Sequence, residues 1–259
     1  LGDVPRAVEL YRDILMQQAD HGPTLEALER LKDGNDEPLA ASSVLEPFYD
    51  AAGSWAKLIS VLEVQVRFQD DVFERVGLLH RIAALYEDNL QNHHAAFDTY
   101  ARALTLDNAN QDTLGALERL GSVTDRWRQV AELYDVEVGK LDDNPDWLTE
   151  LGLRTAAIYE TQLEDVDNAV ARYRKVLAVA ADNQKALSSL DRLFHQTERW
   201  GDLAQVLVRE AEISVSGDEM LEFKYRLGQV NQLRLNDLDA AVDAYREVLN
   251  AAPEHEATI

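Results

Sequence analysis

The chain repeats itself, and the length of the repeat limits what it can fold into more than any local pattern does. Trp55, Trp127 and Trp200 recur at spacings of 72 and 73 residues, and Tyr100, Tyr173 and Tyr245 at 73 and 72. The tyrosines sit in HHAAFDTYARAL, VDNAVARYRKVL and LDAAVDAYREVL, with a further copy, VPRAVELYRDIL, around Tyr11. A second set of segments, TLEALERL, TLGALERL and ALSSLDRL, follows Tyr11, Tyr100 and Tyr173 at a constant distance. Self-similarity of this period marks an array of small supersecondary units, none of which can bury its apolar face alone.

Inside each unit the apolar residues return at three and four, as in Ala169, Tyr173, Val176 and Leu177, which is helical periodicity. Breaks fall at Asp142-Asp143-Asn144-Pro145, Asp182-Asn183, Ser216-Gly217-Asp218 and Ala252-Pro253. The pattern predicts about 14 helices, near 4-18, 23-32, 37-51, 55-69, 72-89, 93-106, 110-121, 126-141, 146-162, 166-180, 183-196, 200-215, 218-234 and 238-251, covering about 70% of an all-α chain without sheet. Two hairpins make one unit of about 72 residues, and residues 1-259 are expected to form a single solenoid.

The first unit departs from the rule. From Leu31 to Trp55 there are 24 residues, against 7 from Leu120 to Trp127 and from Leu193 to Trp200. The surplus is amphipathic, with Leu39, Val44, Leu45, Phe48 and Tyr49, so an additional helix near 37-51 is expected, without a counterpart before Trp127 or Trp200. Pro38 suits its N-terminus and Pro47 lies in its interior. Leu1 aligns with Leu90, and Thr258-Ile259 with Thr113-Leu114, so the chain reads as part of a longer array.

Leu227-Gly228 followed by Ala241, Tyr245, Val248 and Pro253 resembles the tetratricopeptide signature, in which small residues let paired helices approach and an aromatic fills the gap between them. Ala83 and Ala156 stand at the Gly, Asn108 and Ala181 at the Pro, and the first helix is one residue longer than the family's. The Trp hairpins depart further, with Leu58, Val130 and Leu203 at the small-residue position, and half-a-tetratricopeptide arrays are the nearest rival family. The resemblance implies a right-handed α-α superhelix whose first helices line a concave channel for extended peptides or helices.

Charge and chemistry narrow the function. With 48 acidic against 25 basic residues the formal charge is -23, a surface that repels phosphate backbones, so nucleic acid is not an expected partner. The acid excess, with only six lysines (Lys32, Lys57, Lys140, Lys175, Lys185, Lys224), fits either simple solubility or a salt-tolerant source. No segment is long and apolar enough for membrane insertion. The absence of Cys excludes disulfides and thiol chemistry. No GxSxG, GxxxxGK[ST] or HExxH pattern occurs. His93-His94 are helix neighbours about 100° apart, a poor metal pair, and acid pairs such as Asp70-Asp71 sit at helix ends where they cap. No catalytic residue, metal or cofactor is expected.

Residues that recur are presumptively packing, and those that vary on one face are candidates for recognition. The three Trp residues are therefore expected to seal hairpin turns. On helical wheels Arg30, Arg119 and Arg192 point away from the buried stripe. The corresponding face of the longer first helices carries His80, Ala84 and Glu87, then Leu153, Ala157 and Glu160, then Tyr225, Gln229 and Gln232. The arginines either clamp partner carboxylates or pair with acids of adjacent helices. Leu153 and Tyr225 are apolar groups off the stripe, serving contact or local packing. The reading is a scaffold that binds a protein or peptide along the groove. The alternatives are an architectural spacer between flanking domains and an enzyme using the acidic surface.

Overall fold

The computed structural model describes residues 3–141 and 144–255. The expected break at Asp142-Asp143 and the end alignments at Leu1 and at Thr258-Ile259 lie outside them. Helix accounts for 80% of the chain, with no strand among the described residues. The helices are Val4–Gln17 (α1), Gly22–Lys32 (α2), Pro38–Ala51 (α3), Trp55–Phe68 (α4), Val72–Ala84 (α5), His93–Leu106 (α6), Gln111–Val123 (α7), Trp127–Val138 (α8), Pro145–Thr161 (α9), Val166–Val179 (α10), Gln184–Gln196 (α11), Trp200–Ile213 (α12), Gly217–Val230 (α13) and Leu238–Ala251 (α14). Each begins and ends close to where the periodicity puts it. The chain divides into two compact units, residues 1–130 and 131–259, with the boundary inside α8.

In the first unit α1 to α6 each pack against the next helix in sequence. Their shared core contains Leu15, Leu28, Leu45, Leu58, Leu62, Leu79 and Ile82, all fully or nearly fully buried. In the second, α9 to α13 do the same, around Leu151, Leu187, Phe194, Leu207 and Val248. Burial of these side chains at about 25 cal/mol per Å² drives the stacking, because each helix has an apolar stripe that water would otherwise cover.

Two kinds of turn recur, and the sequence explains both. Helices α5, α6, α7, α9, α10, α11 and α14 start on an Asp or Asn side chain that accepts the backbone N–H three residues on, as Asn92 does from Ala95 at 3.1 Å and Asp237 from Ala240 at 3.1 Å. The Trp helices α4 and α12 have no such cap. The turns before α4, α8 and α12 instead pass through a left-handed residue, Gly53, Asp125 or Glu198, and the next N–H closes on the carbonyl five residues back: Ser54 on Tyr49, Arg126 on Gly121 and Arg199 on Phe194, at 2.8–2.9 Å. Trp55 lies against Gly53, and Trp127 against Gly121, so these rings cover their hairpin turns.

The ends of the first helices differ in form. Helices α5 and α13 each continue into a five-residue π turn, at Leu85–Asn89 and Asn231–Leu235. The chain then passes through left-handed Gln91 or Asn236 before the next cap. After α9, where no π turn is formed, Glu164 is left-handed in the same way.

Residues 38–51 form the expected helix, packed on α2 and α4. Its place in the array differs from the expectation of no counterpart. Counted back from the Trp, and by the bond that closes its turn, α3 stands where α7 and α11 stand. The surplus helix by position is therefore α2, although its TLEALERL text copies α7.

Candidate functional site

Three of the candidate residues lie in the first unit. His80 on α5 is half-buried, with Nε2 2.7 Å from Thr113 Oγ1 of α7 and its ring edge-on to Tyr100 at 5.2 Å. Burial pushes its pKa below the usual imidazole value, against the pull of Asp112 and Asp107. Arg119 on α7 grips the Glu87 carboxylate with both terminal nitrogens, Nη2 to Oε2 at 2.8 Å. That bond holds the Glu87 carboxyl below its ordinary range although burial opposes it. Arg30 is exposed, and its Nε donates to the Glu26 carbonyl of its own helix at 3.3 Å.

The other three lie in the second unit. Arg192 on α11 pairs with Glu160 of α9, whose other oxygen accepts the Tyr173 hydroxyl at 2.9 Å. Burial pushes Tyr173 up to about 12. Each paired arginine thus finds its partner on the variable face of a first helix, at Glu87 and Glu160. In the last repeat that position is Gln232, which accepts from Tyr245 at 3.0 Å. Tyr225 is half-buried against Tyr245 and His255, at 6.0 and 5.3 Å between ring centres, and its hydroxyl accepts from Gln229 at 2.8 Å.

Leu153 has a different setting. It forms part of the wall of an open cleft of about 850 Å³ between α9 and the turn joining α10 to α11. Ala157 and Ala180 add apolar floor, while Glu150, Asp182 and Lys185 bring both signs of charge to the rim. Clefts of this size accommodate a short peptide stretch. Asp182 and Lys185 were not among the sequence candidates; the Asp182-Asn183 break was their only trace.

Sequence reasoning also missed two polar groups, half-buried in the first unit and more deeply buried in the second, built from positions that recur 145 residues apart. In the first unit Gln65 Nε2 donates to Glu46 Oε2 at 2.5 Å, and Arg81 pairs with the other oxygen. In the second, Arg226 binds Asp191 through two hydrogen bonds of 2.7 and 2.8 Å, with Glu210 beside them, 6% exposed and its Oε2 without a partner. Burial, then the charge of Asp191, pushes Glu210 up to about 7 against the pull of Arg226. Among the described residues no group of three or more His, Asp or Glu side chains could hold a metal ion, and no helix is long and apolar enough to cross a membrane.

Residues 221–255 match the family model of the tetratricopeptide repeat, over α13 and α14. No curated protein matches the chain. Among solved structures, the chain is similar to the C-terminal part of a TPR repeat-containing protein from Cytophaga hutchinsonii, at 13% identity over 96% of each chain and a TM-score of 0.44. It is similar to a chain of the Naa15/Naa10 complex bound to HypK-THB, at 16% identity over 98% of this chain and 38% of that one, with a TM-score of 0.46. YrrB, described as a TPR protein with an unusual peptide-binding site, gives 11% identity over 73% of this chain and 96% of its own, with a TM-score of 0.39.

Proposed function

As a tetratricopeptide-like helical-repeat protein, this chain is, we propose, a non-catalytic scaffold that binds a protein or peptide along the face formed by its first helices, without a cofactor. The observation that carries the reading is the cleft at Leu153. It combines an apolar floor with carboxylates and a lysine at the rim, which suits a peptide whose apolar side chain enters while its polar backbone and neighbours stay wet. Tyr225 presents a half-buried aromatic at the equivalent position one repeat later, and aromatics of that kind contribute disproportionately to binding. The Arg119–Glu87 and Arg192–Glu160 pairs favour a structural role for those two arginines, whereas among the described residues Arg30 bonds to the Glu26 carbonyl of its own helix and retains donors for a ligand carboxylate.

Peptides selected from a displayed random library against the whole chain provide the test. Leu153→Asp and Tyr225→Asp are expected to weaken the selected peptides at least tenfold by calorimetry while the circular dichroism spectrum is retained. Replacing Arg30, Arg119 and Arg192 together by Ala separates structure from recognition: a lower melting temperature with unchanged affinity assigns them to the fold. Full-strength binding by both Asp variants would remove the groove reading and leave the architectural spacer.

A further inference from the structure

The repeat supplies its own control for a second cleft, formed by α12, α13 and α14. In the first unit the corresponding groove, between α4, α5 and α6, is filled by the chain itself: Arg102 clamps Glu63 with bonds of 2.6 and 2.8 Å, beside Tyr86. In the repeat that follows, Asp135, Tyr159 and Arg172 fill it. The Arg172 guanidinium lies 4.5 Å from the centre of the Tyr159 ring, its Nη2 donates to Asp135 Oδ2 at 2.7 Å, and the Tyr159 hydroxyl donates to the same oxygen at 3.1 Å. The sequence period maps these onto the last repeat without ambiguity. Asp135 becomes Val208, Tyr159 becomes Asn231, Arg172 becomes Ala244, and the position of Arg102 becomes Glu247. The acid, the aromatic and the cation are all gone.

What remains is an open cleft of about 680 Å³. Its floor is Ala204, Val208, Ala211, Leu227 and Ala244, and its rim carries Glu212, Asp243 and Glu247 against a single lining cation, Lys224. Each rim carboxylate has one cation at hand, Arg209 at 2.9 Å, Arg246 at 3.5 Å and Lys224 at 2.5 Å, and each keeps further acceptor positions open toward solvent. The group in the preceding repeat is built by α8, α9 and α10 without α11. With α11 and α12 in place behind it, α10 keeps Ala171 and Lys175, the counterparts of Asp243 and Glu247, exposed.

We propose that this cleft receives, from a partner chain, an aromatic side chain adjacent to an arginine or lysine, supplying in trans what Tyr159 and Arg172 supply within the preceding repeat. The aromatic ring lies on an apolar floor on which Val208 stands exposed, and the cation meets an acidic rim on a chain of net charge -23. The site is separate from the cleft at Leu153, which is formed by α9 and the turn before α11.

A displayed random 12-residue library tests this, selected on the whole chain and counter-selected on a refilled variant, Val208→Asp with Asn231→Tyr and Ala244→Arg. Recovered peptides are expected to carry an aromatic next to Arg or Lys, to lose at least tenfold in affinity on the refilled variant, and to bind Leu153→Asp unchanged. Ala244→Arg alone is the second variant should the triple one unfold by circular dichroism, with the same loss expected. Peptides that bind the folded variants as well as the parent, or whose cleft-dependent members lack the aromatic–basic pair, overturn the proposal. So does sedimentation showing a dimer that refilling dissociates, which would make the occupant a second copy of this chain.

Discussion

The half-buried polar group of the first unit and its more deeply buried counterpart in the second occupy the same three positions and differ in two side chains, Glu46 against Asp191 and Gln65 against Glu210. Glu46, Gln65 and Arg81 hold one carboxylate, one amide and one guanidinium; Asp191, Glu210 and Arg226 hold two carboxylates and one guanidinium. With the amide in place, burial raises the Glu46 pKa, but the bonds from Gln65 and Arg81 outweigh it and leave the carboxyl below its usual value. With a glutamate in its place there is no donor to offer unless a proton is taken up, and Glu210 responds by titrating near neutrality. A repeat array can thus keep its geometry while one copy acquires a pH response that the other lacks.

The sharpest way to break this comparison is to remove the cation from each group. Arg226→Ala leaves two buried carboxylates facing each other and is expected to cost about 2–3 kcal/mol at pH 8. Arg81 is more exposed and Gln65 still serves Glu46, so Arg81→Ala should cost only about 0.5–1 kcal/mol. Urea unfolding of both variants measures the difference; equal costs would show that the two groups are energetically alike.

A smaller effect comes from exchanging the middle residue. The folded value for Glu210 lies above that of an unfolded glutamate, so its contribution is fully favourable below about pH 4.5 and is lost as pH rises through about 7. Glu210→Gln recreates the donor that Gln65 provides and should stabilise the chain by about 1–3 kcal/mol at pH 8, with little gain near pH 4.5. The reverse change, Gln65→Glu, should introduce the same slope in the first unit. Stability profiles measured from pH 4.5 to 8 that keep their shape in both variants would contradict the assignment.

The smallest expected effect is that of salt. Screening eases the self-repulsion of a chain with 48 acidic and 25 basic residues, and the melting temperature should rise by about 2–4 °C, equivalent to about 1 kcal/mol. Glu210→Gln should show a smaller rise, having lost one repulsive contact. A melting temperature that is flat or falls with sodium chloride would mean that the exposed ion pairs, such as Arg174–Asp202, outweigh the net charge.

Helix positions were legible because apolar periodicity and Asx caps are local signals, and both are strong here. The π turns that end α5 and α13 carry no such local signal. The pairing of Arg119 with Glu87 and Arg192 with Glu160 was half visible, since the wheel put all four residues on one side without saying which would touch. The groups around Glu46 and Asp191 were not seen. Their members lie 16 to 35 residues apart on three helices, and a charged residue on an amphipathic helix reads as solvated until a neighbouring helix closes over it. Aligning polar residues by the repeat period, as was done for Trp and Tyr, would have exposed them, and the same alignment marks the loss of Tyr159 and Arg172 in the last repeat. The Leu153 cleft depends on where the turn before α11 passes, which no helical wheel contains.

The wide turns at Leu85–Asn89 and Asn231–Leu235 also bear on how such an array keeps its helices in phase. Every residue added within a continuous α-helix rotates all later side chains by about 100°, which would turn a core stripe toward water. The five-residue turn lies at the helix end, outside the packed stripe, and the Asn or Asp that caps the next helix starts that helix afresh. All three copies, with or without the π turn, put 17 residues between the small residue of the first helix (Ala83, Ala156 or Gly228) and the tyrosine of the next (Tyr100, Tyr173 or Tyr245), so the backbone of the turn varies while the phase of the next helix is kept.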